Sequence, residues 1–470
     1  MSTDGAPETA SALDYLGRLA RFGVRLGLER MRGVLEALGQ PHRAYRWVHV
    51  AGTNGKGSTA AMIASMARAA GIRTALYTSP HLVRFHERIV VDGAPITDEE
   101  LVRAYRRVRE AVDRAGEGGE LPTHFEFVTA MALWHFAQAG VELAVVEVGL
   151  GGRLDATNVV EDPEVTAITP LSLDHTAVLG SRLEQIAAEK AGILKPGADA
   201  VLAPQARAAR EVVAAAARKV DAPLFEVEEQ TPGPDGRAPA NDGRSYVFAS
   251  RHVGPDGGRL EVWAPGGAHY ESLAVPLLGP HQLVNAATAV AVADRLASRG
   301  WPITAEAVAR GLQEVRWPGR LQVIGKRPVV VVDGAHNPQA AAALARALEQ
   351  VFGRPASWLV IGMLAEKDVK GVLRRLVRPT TRVVATRARS SRTAPIDPHE
   401  LAALASQMGA RTAVPVTPAR EALRYAVGRA EPEDLVVVAG SLYLAGEILE
   451  EGLAVSDPSA SPSSTKSAAK

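Results

Sequence analysis

Residues 49–59, His-Val-Ala-Gly-Thr-Asn-Gly-Lys-Gly-Ser-Thr, restrict the fold of this chain more than any other stretch. They follow the apolar run Trp47–Ala51 and lead into a helical pattern over Ala60–Ala70. A strand, a glycine-rich turn and a helix in that order form the setting of a phosphate-binding loop. Gly52, Gly55 and Gly57 permit a tight turn whose N–H groups face phosphate oxygens, and the helix adds its positive end. Lys56 adds a point charge for the outer phosphates. The pattern is shorter than the standard loop. Two residues rather than four separate Gly52 from Gly55, and Gly57 stands where a hydroxyl residue normally follows the lysine. A magnesium ion on a bound triphosphate would need a ligand from elsewhere. An ordinary strand–helix turn is the plain alternative.

The rest of the chain repeats the alternation. Short buried-strand patterns are expected at Trp47–Ala51, Leu143–Val148, Val165–Thr169, Ala198–Ala203, Val329–Asp333, Trp358–Met363, Arg382–Ala385 and Leu435–Ala439. Helical patterns lie between them, as at Leu183–Ala191, Ala340–Val351 and Ala419–Val427. This predicts an α/β fold with mainly parallel sheets covered on both faces. Residues 231–274, rich in Gly, Pro and Asp, predict a small antiparallel excursion. The turn-rich Arg316–Leu321 predicts a domain boundary near residue 318. The expected organisation is a phosphate-loop domain over 1–318, a smaller Rossmann-like α/β domain over 319–453, and a Ser/Ala/Pro-rich disordered tail over 454–470. Residues 1–10 are expected to fray.

Composition excludes several classes. The net charge of +1 gives no global pull toward nucleic acid or membranes. The chain has no cysteine, so thiolate metal sites, disulfides and cysteine nucleophiles are absent. Oxygen and imidazole donors remain, which suit magnesium. With neither a signal peptide nor a membrane-length apolar run, a cytoplasmic protein is expected.

Ligands in open α/β sheets bind beyond the carboxyl ends of strands. Four predicted strand ends carry polar groups: the phosphate loop, Glu147 before Gly149–Asp155, Asp174-His175, and Asp333-Gly-Ala-His-Asn-Pro338. Glu147 ends an apolar strand, where a carboxylate is costly unless a cation balances it. Capping of the following glycine turn is its other reading. His175 is either a metal ligand or the residue that starts a helix after an N-cap-like Asp174. Ser79 offers the missing hydroxyl, or is a solvated turn serine. Lys190, one of nine lysines, sits on a helix between small residues, and a surface position is its default.

Together, Gly-Thr-Asn-Gly-Lys-Gly-Ser58, Thr-Ser-Pro-His-Leu82, Glu147–Asn158, Leu-Asp-His175, Glu-Lys-Ala-Gly-Ile193 and Asp-Gly-Ala-His-Asn-Pro338 resemble the folylpolyglutamate synthase and dihydrofolate synthase family of the Mur ligase superfamily. The resemblance runs from about Asp14 to about Leu449. It implies an ATP-dependent ligase that adds L-glutamate to a reduced folate or to dihydropteroate. Thr53, Asn54, Gly55, Lys56, Gly57 and Ser58 would hold the ATP phosphates, with Asn285, Arg320 and Asp333 on the nucleotide. Ser79 and Glu147 would bind one magnesium ion, and Glu147 and His175 a second, helped by a carboxylated Lys190. The pterin–benzoate part would lie near Val24, Arg25 and Leu26, near Thr123, His124, Phe125 and Glu126, and near Leu154, Asp155 and Ala156. Arg392 would help receive glutamate, although its Ser-Ser-Arg-Thr-Ala surroundings depart from the family's wording. Closure of the second domain, carrying Asp333, is expected on chemical grounds to keep water from an acyl phosphate, and the near-neutral charge with the family pattern leads us to expect a monomer. A cell-wall Mur ligase is disfavoured, since 51 residues before Gly52 are few for the extra domain those relatives carry. A nucleotide switch without ligase chemistry would not need His175 together with Lys190.

Overall fold

The computed structural model describes residues 5–19, 23, 25–115, 121–230, 243–391 and 393–450. They form two compact units divided between Trp317 and Pro318. The expected disordered tail lies outside the described residues.

The strands of the first unit are β1 (Arg46–Ala51), β2 (Thr74–Tyr77), β3 (Ile89–Val91), β4 (Ala94–Pro95), β5 (Leu143–Glu147), β6 (Val165–Ile168), β7 (Asp199–Leu202), β8 (Leu224–Glu229), β9 (Ser245–Gly254), β10 (Gly257–Trp263) and β11 (His269–Val275). Its helices are α1 (Gly5–Leu19), α2 (Glu29–Ala37), α3 (Lys56–Ala69), α4 (Asp98–Ala115), α5 (His124–Gln138), α6 (Thr176–Leu179), α7 (Leu183–Ala191), α8 (Arg207–Val220), α9 (Pro280–Ser298) and α10 (Ala305–Glu314). The sheet order is β11-β10-β9-β8-β7-β6-β1-β5-β2-β3-β4. From β9 to β2 all neighbours are parallel, and antiparallel strands finish both ends. The predicted excursion is therefore a β9–β10–β11 meander whose first strand extends the parallel sheet.

Side chains alternate across this sheet. Val48, Val50, Leu143 and Val145 pack with α3 and α9 on one face. Trp47, Ala144 and Val146 pack with α4 and α5 on the other. The meander is anchored at its base, where Tyr246 and Tyr270 donate to the Asp294 carboxylate of α9 at 2.6 and 2.8 Å. Residues 5–10 do not fray as expected. They begin α1, whose buried Ala12, Leu16 and Leu19 form a stripe against α4 and α5.

The second unit contains β12 (Gln322–Lys326), β13 (Val329–Val332), β14 (Trp358–Ile361), β15 (Arg382–Ala385), β16 (Thr412–Pro415) and β17 (Leu435–Ala439). Helices α11 (Pro338–Phe352), α12 (Val369–Leu376), α13 (Pro398–Gln407), α14 (Ala419–Val427) and α15 (Leu442–Glu450) complete it. The sheet order is β12-β13-β17-β14-β15-β16, parallel except for β12. Among the described residues no helix is long and apolar enough to cross a membrane.

Candidate active site

Strands β6, β1, β5 and β2 are neighbours, so their carboxyl ends deliver four loops to one edge of the sheet. The loop after β1 is the phosphate loop. Gly55 holds φ +86°, and a Cβ there would fall 2.3 Å from Asn285 Oδ1, which seats the buried Asn285 of α9 against the loop. Asn285 Nδ2 donates to Gln282 Oε1 at 2.9 Å. The amides of Thr53 and Asn54 donate to Pro170 O, each at 3.2 Å. Thr53 Oγ1 donates to Ser172 O and accepts from Ser172 N, both at 3.1 Å. The loop after β1 is thus laced to the loop after β6. Helix geometry leaves the first-turn amides of Lys56, Gly57 and Ser58 without intrahelical acceptors, and the N-cap Gly55 has no side chain to cap them.

Glu147 lies on the α3 face of its strand by the same alternation that places Leu143 and Val145. Its carboxylate is buried, accepts the Ser79 amide at 3.2 Å, and stands 3.8 Å from Lys56 Nζ. Lys56 also donates to Thr53 O at 3.3 Å. The turn-capping role open to Glu147 belongs instead to Asp155. Asp155 accepts from Leu150 N at 2.8 Å, Thr157 N at 3.0 Å and Thr157 Oγ1 at 2.6 Å. Its burial raises its carboxyl above the usual range. Leu154 beside it is half-buried and Ala156 is buried.

Lys190 corrects its default reading. The side chain is 5% exposed, and Nζ donates to Gly52 O at 2.8 Å, at the mouth of the phosphate loop. Burial, then the charge of Lys56, lower its amine to about 7, against the pull of Asp174, Asp155 and Glu147. The charged groups that act on Lys190 are therefore Lys56, Glu147, Asp155 and Asp174.

His175 adopts a left-handed backbone, φ 50°, and itself N-caps α6, with its side chain 46% exposed. Asp174 accepts the His175 amide at 2.8 Å, and its side chain is the one turned inward. Asp174 was missed as a site residue. It stands at a predicted strand end with His175, but in the sequence it looks only N-cap-like. His49 was also missed, because one histidine in an apolar strand reads as core. It is fully buried, held neutral with its titration near 3, and bonded to Thr157 Oγ1 at 2.8 Å. Since that hydroxyl donates to Asp155, His49 is the donor to Thr157 and backs the Gly149–Asn158 turn.

Thr123 and Glu126 form a capping box at the start of α5, with Thr123 N donating to Glu126 Oε2 at 2.7 Å. Arg30 grips Glu126 at 3.0 and 3.2 Å and donates to Arg25 O at 3.1 Å. The Glu126 carboxylate thus organises this region from within. Phe125 packs on Gly149, where a Cβ would fall 2.4 Å from Phe125 Cζ, and His124 Nδ1 meets Leu16 O at 2.8 Å. Arg25 and Leu26 are exposed. Val24 lies outside the described residues.

In the second unit, Asp333 at the end of β13 accepts Leu321 N and Ala335 N, each at 2.8 Å. Arg320 Nη1 donates to Gly319 O at 3.1 Å. Arg392 lies outside the described residues. Buried Glu447 accepts Arg389 N at 2.7 Å and pairs with its guanidinium at 3.2 Å.

Among the described residues no cluster of three or more His, Cys, Asp or Glu is assembled to hold a metal. A hard cation carried on phosphates needs only one or two protein oxygens. The Glu147 carboxylate, joined to the Ser79 backbone beside the phosphate loop, fits that need.

The chain that carries this shortened phosphate loop and the buried Lys190 beside it has known relatives. The Mur ligase middle domain profile matches residues 50–293, and the profile for the Mur ligase glutamate ligase domain matches residues 319–442. A dihydrofolate synthase/folylpolyglutamate synthase of Bacillus subtilis is 38% identical over 365 residues, 77% of this chain and 80% of that protein. A probable bifunctional folylpolyglutamate synthase/dihydropteroate synthase of Haloferax volcanii is 38% identical over 443 residues, 94% of this chain, which spans 50% of that relative's length. The solved folylpolyglutamate synthase of Mycobacterium tuberculosis, complexed with ADP and AMPPCP, has a TM-score of 0.82 at 34% identity. It covers 95% of this chain and 99% of its own. These are the domains of a Mur-type ligase. Within that class, the chain belongs to the folylpolyglutamate synthase/dihydrofolate synthase family.

Proposed function

We propose that this chain is an ATP-dependent amide ligase that joins L-glutamate to a reduced folate, to dihydropteroate, or to both. The observation that carries this reading is the Lys190 amine, buried at the mouth of the phosphate loop, bonded to Gly52 O and lowered to titrate at about 7. A free amine in that setting can bond to carbon dioxide and release a proton, and the resulting carbamate turns a repelled cation into an anion facing Lys56. Likeness to the nucleotide-bound Mycobacterium tuberculosis enzyme supports an adenine nucleotide in the same loop.

A carboxylate does not condense with an amine at neutral pH unless it is activated. Its oxygen takes the γ-phosphoryl group of ATP as ADP leaves. The glutamate amine then bonds to the carbonyl carbon as phosphate leaves. The protein positions these groups and offsets their charge. Lys56 and the first-turn amides of α3 would face the phosphate oxygens, with Thr53 and Asn54 shaping the loop and Asn285 seating it. Magnesium, when bound, would neutralise phosphate oxygens, with Ser79 and Glu147 as donors to one ion, and Glu147, His175 and carboxylated Lys190 to a second. Arg30 and Glu126 would fix the wall for the pterin–benzoate part beside Phe125. The second unit would supply Arg320 and Asp333 to the nucleotide and Arg392 to glutamate. Its movement over the first would exclude water from the acyl phosphate. We read the protein as a cytoplasmic monomer acting on small molecules.

The test is phosphate release from ATP with purified protein, supplied with glutamate and either dihydropteroate or tetrahydrofolate. Release requiring both glutamate and one pterin substrate is expected, and the two pterins assign the acceptor. Release that ignores both substrates would mark a nucleotide switch instead.

A further inference from the structure

Helix α10 and the segment after it follow α3 from its last turn to its first. Arg310 donates to the Ala69 carbonyl. Ser65 Oγ donates to Gly311 O at 2.7 Å, and a Cβ on Gly311 would fall 2.4 Å from Met66 Cα, so the two helix backbones touch. Further along, Trp317 covers the phosphate-loop end. A Cβ on Gly57 would fall 2.8 Å from Trp317 Cζ2 and 3.3 Å from Cε2 and Nε1.

Gly57 does not have the positive φ that would call for glycine. Glycine inside a helix weakens it, so here the missing side chain serves the indole and not the turn. The indole Nε1 is buried without an acceptor among the described residues, a costly arrangement for local stability alone. Trp317 is also the last residue of the first unit.

We propose that Trp317 is a positioning residue for ligation. Its indole occupies the space that the hydroxyl side chain fills in a standard phosphate loop, and it fixes the start of α3 to the segment entering the second unit. The inference rests on the ligase reading. Nucleotide phosphates bear on the first turn of α3, and that turn bears on Trp317. The start of α3 and the last segment of the first unit are thereby held together by one side chain. Without the indole the loop still binds ATP, but amide formation lags. Water then bonds to the carbonyl carbon as phosphate leaves, and the carboxylate is regenerated.

The test counts phosphate released per glutamate ligated by the full chain. Wild type is expected near one. Trp317→Ala raises the ratio several-fold with little change in KM for ATP, and Trp317→Phe, which refills the space, restores it. Gly57→Ala lowers ligation at least tenfold, and adding Trp317→Ala recovers part of that loss by removing the clash. Melting curves with and without ADP verify folding. If Trp317→Ala unfolds, Trp317→Leu takes its place alone and with Gly57→Ala. A wild-type ratio in the truncated variant, or losses that simply multiply in the double variant, overturns the proposal. Absence of any glutamate-dependent reaction in the wild type overturns the ligase reading instead.

Discussion

Burial and the nearby Lys56 make Lys190 a weaker base in the folded chain than in the unfolded one. The unfolded chain therefore binds more protons between about pH 7 and the ordinary lysine range, and stability rises with pH across that window. Below it both states are protonated and the full penalty applies. The melting temperature is expected to climb from pH 6.5 to 8.5 (about the span where a group titrating near 7 sheds its proton), and Lys190→Met should flatten that climb. Lys190→Arg stays cationic and cannot be carboxylated, so ligation should fall by orders of magnitude in a folded protein, as rate assays beside circular dichroism would show. Glu147→Gln should move the magnesium titration of activity to higher concentration, and an unmoved titration would take Glu147 out of the site. The chemistry of these residues was legible from strand ends and spacing, but their burial was not. Nothing in Ala-Glu-Lys-Ala reveals that this lysine, unlike its neighbour Glu189, faces the loop mouth. In Asp174-His175 the sequence does not say which side chain turns inward, because a left-handed backbone at His175 decides it.

At the scale of elements, the start of α5 is where local chemistry sustains the site. Thr123→Ala removes its cap and should lower unfolding free energy by about 1 kcal/mol in a denaturant titration. Gly149→Ala drives a methyl into Phe125 and should raise KM for the pterin substrate several-fold while leaving KM for ATP near wild type. Strands buried on both faces were readable to the residue at Arg382–Ala385 and Leu435–Ala439, since a continuous apolar run leaves little choice. Strands β8, β12 and β16 escaped notice. Leu224–Glu229 and Gln322–Lys326 carry charged or polar residues on half-exposed faces, and Thr412–Pro415 is an edge strand ending in proline. Helix α1 was hidden by its small, polar first turns, although Ala12, Leu16 and Leu19 carry its stripe.

Across the whole molecule, the alternation of buried strands with helices could be followed, but partners distant in sequence could not. Asn285 meets Gly55, Thr53 meets Ser172, and Trp317 meets Gly57 only once the sheet has closed the intervening chain. Because each unit has its own sheet, residues 1–317 and 318–450 expressed separately should each melt cooperatively, whereas neither fragment alone should ligate glutamate. The β9–β11 meander has a different use. The starts of β9 and β11 are tied to α9 through Asp294, and the adjoining β10–β11 bend carries the exposed Ala268. Since the chain contains no cysteine, a single thiol introduced at Ala268, rather than at Gly266 or Gly267 with their positive φ, would accept one dye at one address. The protein thus has a labelling post that stands apart from its chemistry.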